Sequence, residues 1–552
     1  MSDQLKIYCV NLREYVDIKG GETLQDIAAR LNLGFTPICA RVNNKTENLA
    51  FPVFAPKQVE YLKKTSSSGS RTYVRSLCMV LYCAIQKLAP GATLRVCHSI
   101  AHGYFCRISI PVTPQLVSDI KAEMQAIIDA DIPMRRKERL TADAIKIFQK
   151  QGLPDKVLLL QTIRDLYTTY YKLGNVCDSY YGTLAPSTGC LSVFDLKPYK
   201  DGFLLFAFDS ENPDVPATPI DQEKMFEAFT EYLRFNEVVG VKNVGELNKA
   251  VLSGNAPMLI NVAEAMHAKY IAKIADRIKE RYDQGGARIV LVAGPSSSGK
   301  TTTTKRLAIQ LTTNLLRPQM ISLDNYFVDR HHTPLDEDGE YDYESLYALD
   351  IEQFNKDLND ILAGKEVAMP TYDFQTGTRR YKGDSIKLDS NSILLIEGIH
   401  GLNPELTAHI EDNMKFRVYV SALTSLAIDD HNWVPTTDNR LLRRIIRDYK
   451  YRHASAEDTI RRWPSVRRGE EKWIFPYQEN ADAMFNSSLL FELGVMKDYG
   501  EAILRQVPRD VPEFSEAYRL RKFLNYFVSI PEDHIPSTSL LREFLGGSSF
   551  HY

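Results

Sequence analysis

One run of the sequence restricts the fold more strongly than any other. Residues 288–293 (RIVLVA) form a short apolar segment rich in β-branched side chains, which predicts a buried strand. The pattern G-x-x-x-x-G-K-T follows at 294–301, and residues 302–313 are compatible with a helix. Successive backbone N–H groups and the start of a helix present partial positive charge to phosphate groups. The order strand, loop and helix therefore favours a nucleotide site over a purely structural glycine–serine loop.

The residues of this loop divide by their chemistry. Gly294 and Gly299 permit a tight backbone path without Cβ clashes. Lys300 can reach the β- and γ-phosphates of a nucleotide, and the Thr301 hydroxyl can bind Mg²⁺. The predicted nucleotide-binding residues are Gly294, Pro295, Ser296, Ser297, Ser298, Gly299, Lys300, Thr301 and Thr302.

Two later apolar segments each carry an acid. Residues 320–327 (MISLDNYF) predict a strand that carries Asp324, and residues 392–399 (SILLIEGI) predict a buried strand that carries Glu397. Ligands of open α/β sheets bind at the carboxyl ends of the strands. Asp324 is a candidate base for a hydroxyl proton, with a helix or turn cap as the alternative. Glu397 is a candidate Mg²⁺ group beside Thr301.

Together with the loop, three short segments resemble the uridine kinase/phosphoribulokinase family of P-loop kinases: S-x-D-x-(F/Y) at 322–326, P-T-Y-D-F at 370–374 and I-E-G-I at 396–399. The resemblance covers roughly 286–552 and implies ATP and Mg²⁺ as cofactors. The catalytic residues that it implies are Asp324, Lys300, Arg444 and Arg447. The substrate-binding residues that it implies are Asp324, Tyr326, Asp342, Tyr372 and Arg440. The metal residues are Thr301 and Glu397.

Position 377 departs from the family pattern. Uridine–cytidine kinases carry a base-reading His five residues after the Tyr that corresponds to Tyr372, and this chain has Gly377 there. The missing hydrogen-bonding group weakens the prediction of a pyrimidine acceptor. The preferred interpretation is transfer of the γ-phosphoryl group of ATP to a sugar hydroxyl, foremost the 5′-hydroxyl of uridine or cytidine. A sugar phosphate, as in phosphoribulokinase, is the alternative acceptor.

A basic segment follows at 440–472, with eleven Lys and Arg against five Asp and Glu. Four arginines are predicted to share one helix face: Arg440, Arg443, Arg444 and Arg447. A solvated basic face is one interpretation, and contact with nucleic acid, aided by Trp463 and Trp473, is another. The segment resembles the lid of the kinase family, which implies that its arginines close over the transferring phosphoryl group.

The first 240 residues resemble parts of threonyl-tRNA synthetases. The order β-β-α-β over residues 1–64 resembles the TGS domain, a β-grasp module. The Ser-rich stretch 65–70 predicts a linker, and the order and length of residues 65–240 resemble the editing-type α+β domain. Residues 241–285 predict a helical connector. The predicted fold class is thus multidomain α/β, with a mainly parallel sheet in the P-loop kinase domain at 286–552.

The editing-type family carries a metal pattern, His-x-x-x-His with Cys-x-x-x-His. In this chain the four positions are Arg75, Met79, Cys177 and Tyr181, so three of the four ligands are replaced and we expect no metal site and no editing chemistry there. All eight cysteines lie in the first 190 residues. They are best interpreted as ordinary buried thiols, since disulfide frameworks belong to short secreted chains.

Composition narrows the function classes. A net charge of −3 and a sequence pI near 6.4 argue against a dedicated nucleic-acid binder. No apolar run of about 18 residues is present and the start lacks a signal-peptide pattern, so we expect a cytoplasmic protein without membrane contact. A homo-oligomer stays open. A competing hypothesis from another class is an RNA-associated regulator that uses nucleotide binding as a switch.

Overall fold

The structure is a computed structural model that describes residues 5–551. The front region, residues 5–62, is a mixed sheet covered by one short helix. Its elements are β1 (Leu5–Cys9), β2 (Glu14–Ile18), β3 (Glu22–Thr23), α1 (Leu24–Ala29), β4 (Cys39–Val42), β5 (Lys45–Glu47), β6 (Pro52–Val53) and β7 (Lys57–Leu62). The main sheet has the order β2-β1-β7-β4-β5, and its central strands β1 and β7 are parallel. Thr23 caps α1 in a capping box with Asp26, and Ile27 turns into the core.

The middle region, residues 67–206, combines helices with two antiparallel sheets. Its elements are α2 (Ser67–Leu88), β8 (Leu94–Ile100), β9 (Gly103–Ile108), α3 (Pro114–Asp129), β10 (Arg135–Leu140), α4 (Thr141–Gln151), α5 (Pro154–Thr162), β11 (Tyr167–Leu173), β12 (Val176–Asp178), β13 (Asp195–Tyr199) and β14 (Gly202–Phe206). The sheets have the orders β13-β14-β9-β8 and β10-β11-β12. The long helix α2 is buried along most of its length and supplies the centre of the core.

The Ser-rich stretch 65–70 is not a flexible linker, so that prediction is wrong. The Ser66 side chain accepts a hydrogen bond from the Gly69 N–H and starts α2 at Ser67. Ser68 is buried and lies 3.4 Å from the Thr46 hydroxyl of the front region. Serine is a favoured N-cap, because its hydroxyl satisfies an N–H that the first helical turn leaves without a partner. The same composition therefore serves a helix start here.

The C-terminal region, residues 223–551, contains a five-stranded parallel sheet. Its elements are α6 (Glu223–Val239), α7 (Val244–Leu252), α8 (Ala256–Asp283), β15 (Ile289–Ala293), α9 (Lys300–Thr313), β16 (Arg317–Ser322), α10 (Ile351–Leu362), β17 (Val367–Asp373), β18 (Thr378–Ile386), β19 (Ser392–Glu397), β20 (Lys415–Ser421), β21 (Ala427–Asp429), β22 (Asn432–Trp433), α11 (Thr436–Tyr451), α12 (Ala456–Trp473), β23 (Ala483–Asn486), α13 (Glu492–Leu504), α14 (Phe514–Leu524) and α15 (Arg542–Leu545). The sheet has the order β16-β19-β15-β20-β23, and every pair in it is parallel. The predicted parallel sheet is confirmed.

Helices cover both faces of this sheet. Val290 and Val292 of β15 pack into the core formed with α8 and α9, whereas Ile289 and Leu291 pack into the core formed with α10. This alternation follows from the two-residue period of a strand, and apolar residues on both faces are typical of a doubly covered parallel sheet. Because α8 packs against α9, the predicted helical connector is one of the layers of the C-terminal region.

Buried ion pairs join the middle and C-terminal regions. The Lys156 Nζ of α5 lies 2.9 Å from a carboxylate oxygen of both Asp178 and Asp429, and all three side chains are almost completely buried. The His431 Nδ1 lies 2.8 Å from the second oxygen of Asp178. Burial opposes the charge of Asp178, but Lys156 and His431 outweigh it and hold the pKa of this carboxyl below its usual range. The ammonium group is thus shared between carboxylates of two regions.

Two of the positions that correspond to the metal ligands of the editing-type family form a different contact. The guanidinium carbon of Arg75 lies 4.6 Å from the centroid of the Tyr181 ring, a cation–π geometry. The Tyr181 ring also lies 6.1 Å from the Phe523 ring of α14, so it is packed between two regions. All eight cysteines are free, and six of them are buried, as predicted.

None of the helices within residues 5–551 combines the length and the apolar character that crossing a membrane requires.

Candidate active site

The loop between β15 and α9 requires glycine at both ends. Gly294 has φ +157°, and a Cβ there would collide with the Val420 carbonyl oxygen of β20. Gly299 has φ +85°, and a Cβ there would lie 2.7 Å from the Leu540 side chain. Side chains other than hydrogen are strained at such φ values. The glycine positions of the sequence pattern are therefore fixed by backbone conformation and by close neighbours.

Arginines of α11 hold the loop from one side. The Arg440 Nε donates to the Ser296 carbonyl oxygen at 2.9 Å, and the Arg444 guanidinium donates to the Ser296 hydroxyl at 2.9 Å. Arg443 donates to the Ser298 carbonyl oxygen at 3.4 Å. Arg440 and Arg443 are 1% and 0% exposed, so they do not form a solvated basic face. The prediction that the four arginines share one helix face is useful, but that face is turned into the protein.

Buried glutamates neutralise two of these arginines. Arg443 forms an ion pair with Glu492 of α13, and Arg440 forms one with Glu470 of α12. The Arg440 guanidinium is thus engaged by the loop and by Glu470, not directed at an acceptor. Glu470 also accepts a hydrogen bond from the Ser296 N–H at 3.2 Å. The lid-like helices α11 and α12 therefore lie directly against the phosphate-binding loop.

Lys300, Thr301 and Glu397 lie together at the carboxyl ends of β15 and β19. The Thr301 hydroxyl lies 3.2 Å from each carboxylate oxygen of Glu397. Burial raises the pKa of Glu397 to about 7, with a further contribution from the Asp324 carboxylate. Burial also lowers the pKa of Lys300, against the attraction of Glu397 and Asp324. This group brings together one ammonium and two carboxylates in a site shielded from water.

Asp324 does not lie within β16, which ends at Ser322, but in the 3₁₀ turn directly after it. Burial raises the pKa of Asp324, while Lys300, Arg452 and Arg447 act in the opposite direction. Arg452 follows α11 and was not among the predicted residues. The repulsion of Arg447, together with burial, lowers the pKa of Arg452 to about 10. Asp324 thus faces the loop lysine and a pair of arginines, as a base beside a phosphoryl group requires.

An aromatic cluster lies at the opposite end of the site, on the hairpin β17–β18. The buried Tyr372 ring lies 5.6 Å from Phe327 and 5.1 Å from Phe374. At the turn of the hairpin, Gly377 has φ +71°, and a Cβ there would lie 2.8 Å from the Arg330 side chain. Arg330 also donates to the Phe374 carbonyl oxygen. The space beside position 377 is therefore filled by an arginine, which accounts physically for the glycine.

Three predicted or neighbouring residues differ in their environments. Tyr326 is buried with its hydroxyl donating to Asp357 of α10 at 3.0 Å, so it belongs to the core. Asp342 is half-buried and accepts the Glu344 N–H at 3.1 Å. Glu344 itself points towards the loop: burial and the repulsion of Glu470 raise its pKa to about 7, and Arg444 opposes this. The sequence patterns missed Glu344, whose only signal was its position two residues after Asp342.

The arrangement fits a triphosphate and a hard cation. The Ser297 and Ser298 hydroxyls are buried in the loop without a hydrogen-bond partner, and Lys300 lies beside them. Such polar groups are costly unless a ligand satisfies them. Thr301 and Glu397 offer the oxygen ligands that Mg²⁺ prefers. The residues present can therefore hold nucleotide phosphates and a magnesium ion at the end of the parallel sheet.

Comparisons with known proteins identify the family. Residues 289–489 match the model of the phosphoribulokinase/uridine kinase family. The chain is 30% identical over 195 residues to the uridine kinase of Staphylococcus epidermidis and equally to that of Staphylococcus aureus, covering 35% of this chain and 84% of each relative. A solved D-glycerate 3-kinase from Cryptococcus neoformans is 13% identical, with a TM-score of 0.23, and the match covers 49% of this chain and 89% of that one. With this identity over most of a relative's length, the chain belongs to the phosphoribulokinase/uridine kinase family.

Proposed function

We propose that the protein is an ATP-dependent kinase that transfers the γ-phosphoryl group to a sugar hydroxyl, foremost the 5′-hydroxyl of uridine or cytidine. The observation that carries the proposal is the group around the loop. Thr301 and Glu397 are within hydrogen-bond distance, and Lys300 influences the charge of both Glu397 and Asp324. Phosphoryl transfer depends mainly on positioning and charge stabilisation, which such a group supplies.

Each residue has a defined task in this proposal. Asp324 accepts the proton of the attacking hydroxyl, and Lys300 with the arginines of α11 stabilises negative charge on the transferring group. Arg444, Arg447 and Arg452 are the arginines that remain closest to this path. When bound through Thr301 and Glu397, Mg²⁺ neutralises charge on the phosphate oxygens. Glu344 and Tyr372 are proposed to contact the acceptor.

The test is transfer of labelled phosphate from ATP by the full-length protein. A panel of nucleosides and sugar phosphates is scored for labelled product, beside the Asp324→Asn variant. We expect product with at least one acceptor and a large loss in the variant. Absence of turnover with every acceptor would refute the proposal, as would an Asp324→Asn variant as active as the parent.

A second candidate acceptor, a phosphorylated sugar, is favoured by Arg330. This arginine fills the space beside Gly377 and is followed by His331 and His332, so the acceptor side carries positive charge. Arginine binds phosphate through a planar fork of donors. In this case Arg330→Ala should raise the KM for a sugar phosphate by about tenfold or more, while leaving the KM for ATP unchanged. If a nucleoside is the acceptor, the variant should not show this selectivity.

The front and middle regions are proposed to be a TGS-like domain (1–64) and an editing-like domain (65–240), with a connector at 241–285 and the kinase at 286–552. The strand order β2-β1-β7-β4-β5 with parallel central strands supports the first assignment. The contact of Arg75 with Tyr181 supports loss of the editing metal site, because a guanidinium cannot bind a cation. Salt-dependent binding of tRNA in an anisotropy titration would instead favour an RNA-associated role.

A further inference from the structure

A carboxylate from the end of the chain lies on the phosphate-binding loop. Glu543 of α15 accepts hydrogen bonds from Thr302: its Oε2 atom is 2.5 Å from the hydroxyl and 3.4 Å from the backbone nitrogen. Thr302 lies in the first turn of α9, where the N–H groups have no partner within the helix. These are donors that nucleotide phosphates use in a loop of this kind. Glu543 thus occupies groups that the ligand needs.

The backbone that carries Glu543 is firmly packed. Leu540 fills the space beside Gly299, and the Phe544 ring lies 5.2 Å from the guanidinium carbon of Arg443. Leu540 and Phe544 are both fully buried, whereas Glu543 is half-exposed. The segment therefore forms a fixed wall of the loop, and the Glu543 side chain alone has room to turn towards solvent. This wall lies outside the matched residues 289–489.

A second carboxylate lies at the other end of the loop. Glu470 accepts the Ser296 N–H at 3.2 Å and is fully buried between Arg440 and Arg467. The loop without ligand is thus satisfied by one carboxylate at each end. A carboxylate and a phosphate oxygen cannot accept the same hydrogen, and their negative charges repel each other. Of the two, Glu543 lacks an arginine partner among its printed contacts and is the one that can leave.

We propose that Glu543 is a built-in anionic competitor for the nucleotide phosphates, displaced from Thr302 each time a nucleotide binds. This inference rests on the proposed nucleotide site. Its consequence is that the chain lowers its own affinity for di- and triphosphates, while the nucleoside part of the ligand is not affected. In the nucleotide-free protein the same contact keeps the start of α9 satisfied.

The experiment measures binding to the full chain by calorimetry, with ADP plus Mg²⁺ and with adenosine as separate ligands. Glu543→Gln removes the charge but keeps an acceptor oxygen, and Glu543→Ala removes both. We expect the Kd for ADP to fall about tenfold in Glu543→Gln and further in Glu543→Ala, with adenosine binding unchanged. Asp533→Asn, an exposed acid ten positions earlier, is the matched control and should leave both ligands unaffected. Melting curves confirm that each variant is folded.

The outcomes separate this inference from the proposed function. If the parent protein binds no ADP at all, the nucleotide site itself is wrong. If the parent binds ADP and both Glu543 variants bind it equally well or more weakly, the competitor role is overturned and the kinase proposal stands. If Asp533→Asn tightens ADP binding as much as Glu543→Gln, the effect is one of general charge, and the specific role of Glu543 is also overturned.

Discussion

The Thr301 hydroxyl lies 3.2 Å from both carboxylate oxygens of Glu397, which places the first residue pair of the proposed metal site in contact before any ion binds. Since burial and Asp324 raise the pKa of Glu397 to about 7, a proton and Mg²⁺ compete for this carboxylate. We expect the apparent affinity for Mg²⁺ to rise between about pH 6 and about pH 8. Titration of turnover with Mg²⁺ at several pH values measures this, and a pH-independent affinity would contradict it.

The same carboxyl group should make stability depend on pH. Its pKa in the folded protein is above the unfolded value, so its stabilising contribution is complete below the unfolded pKa and is lost as pH rises through about 7. The melting temperature without Mg²⁺ should therefore fall from about pH 5 to about pH 8, and less steeply in Glu397→Gln. Glu344 shares the raised pKa, so part of the slope remains. Glu411→Gln, at an exposed acid, should leave the slope as it is.

Asp324→Asn should lower kcat by roughly 10²- to 10⁴-fold, the usual contribution of a general base. The amide cannot take up the hydroxyl proton, yet it is nearly the same size and keeps the turn after β16. Binding of ADP should therefore change little. Single-turnover kinetics and calorimetry separate these effects. A variant that loses ADP binding and activity together would instead point to a structural role for Asp324.

Glu492→Gln should destabilise the fold by about 3 to 5 kcal/mol, because it leaves the Arg443 charge buried without its partner. Arg443 is 0% exposed and also holds the Ser487 carbonyl oxygen at 2.9 Å, so it cannot turn to water. Denaturant unfolding measures the change. The control is Glu457→Gln, which breaks an exposed pair with Arg461 and should cost less than about 1 kcal/mol. Equal effects in both variants would contradict the prediction.

Lys156→Met should destabilise the contact between the middle and C-terminal regions by several kcal/mol, roughly the cost of leaving buried carboxylates unpaired. The loss should be largest near neutral pH and shrink in acid, where the carboxylates of the variant are protonated. The parent behaves oppositely, since the lowered pKa of Asp178 gives stability that disappears as pH falls. Unfolding curves at several pH values test this crossing behaviour. An effect independent of pH would argue for packing alone.

How far the sequence predicts this site depends on how local the signal is. Gly294, Gly299 and Lys300 follow from a pattern of eight residues, and the parallel sheet follows from apolar runs that end in acids. The pattern could show which arginines of α11 share a face, but not that the face is buried, since charged side chains are seldom fully buried. Arg443 needs Glu492, about fifty residues later, to be buried at all.

The residues that the sequence missed are brought in by tertiary packing. Arg330 reaches the hairpin turn because Gly377 leaves room for it, and Arg452 faces Asp324 only once α11 ends beside the loop. Glu344 is buried against Gly469, whose missing side chain makes the space. None of these contacts has a fixed spacing along the chain. In contrast, the wrong prediction of a linker at 65–70 came from composition, which does not distinguish a loop from a helix cap.

The stacking of Tyr181 on both Arg75 and Phe523 has a consequence for how the chain can be divided. In an enzyme built of separable modules, a cleft of one module stays open to water. Here the cleft of the middle region is closed by α14, and Phe523 is completely buried. Cutting the chain before residue 241 would expose this aromatic face and leave Asp429 without Lys156. The boundaries visible in the sequence are therefore not boundaries of independent stability, and the phosphate-binding half needs the preceding half in order to stay folded.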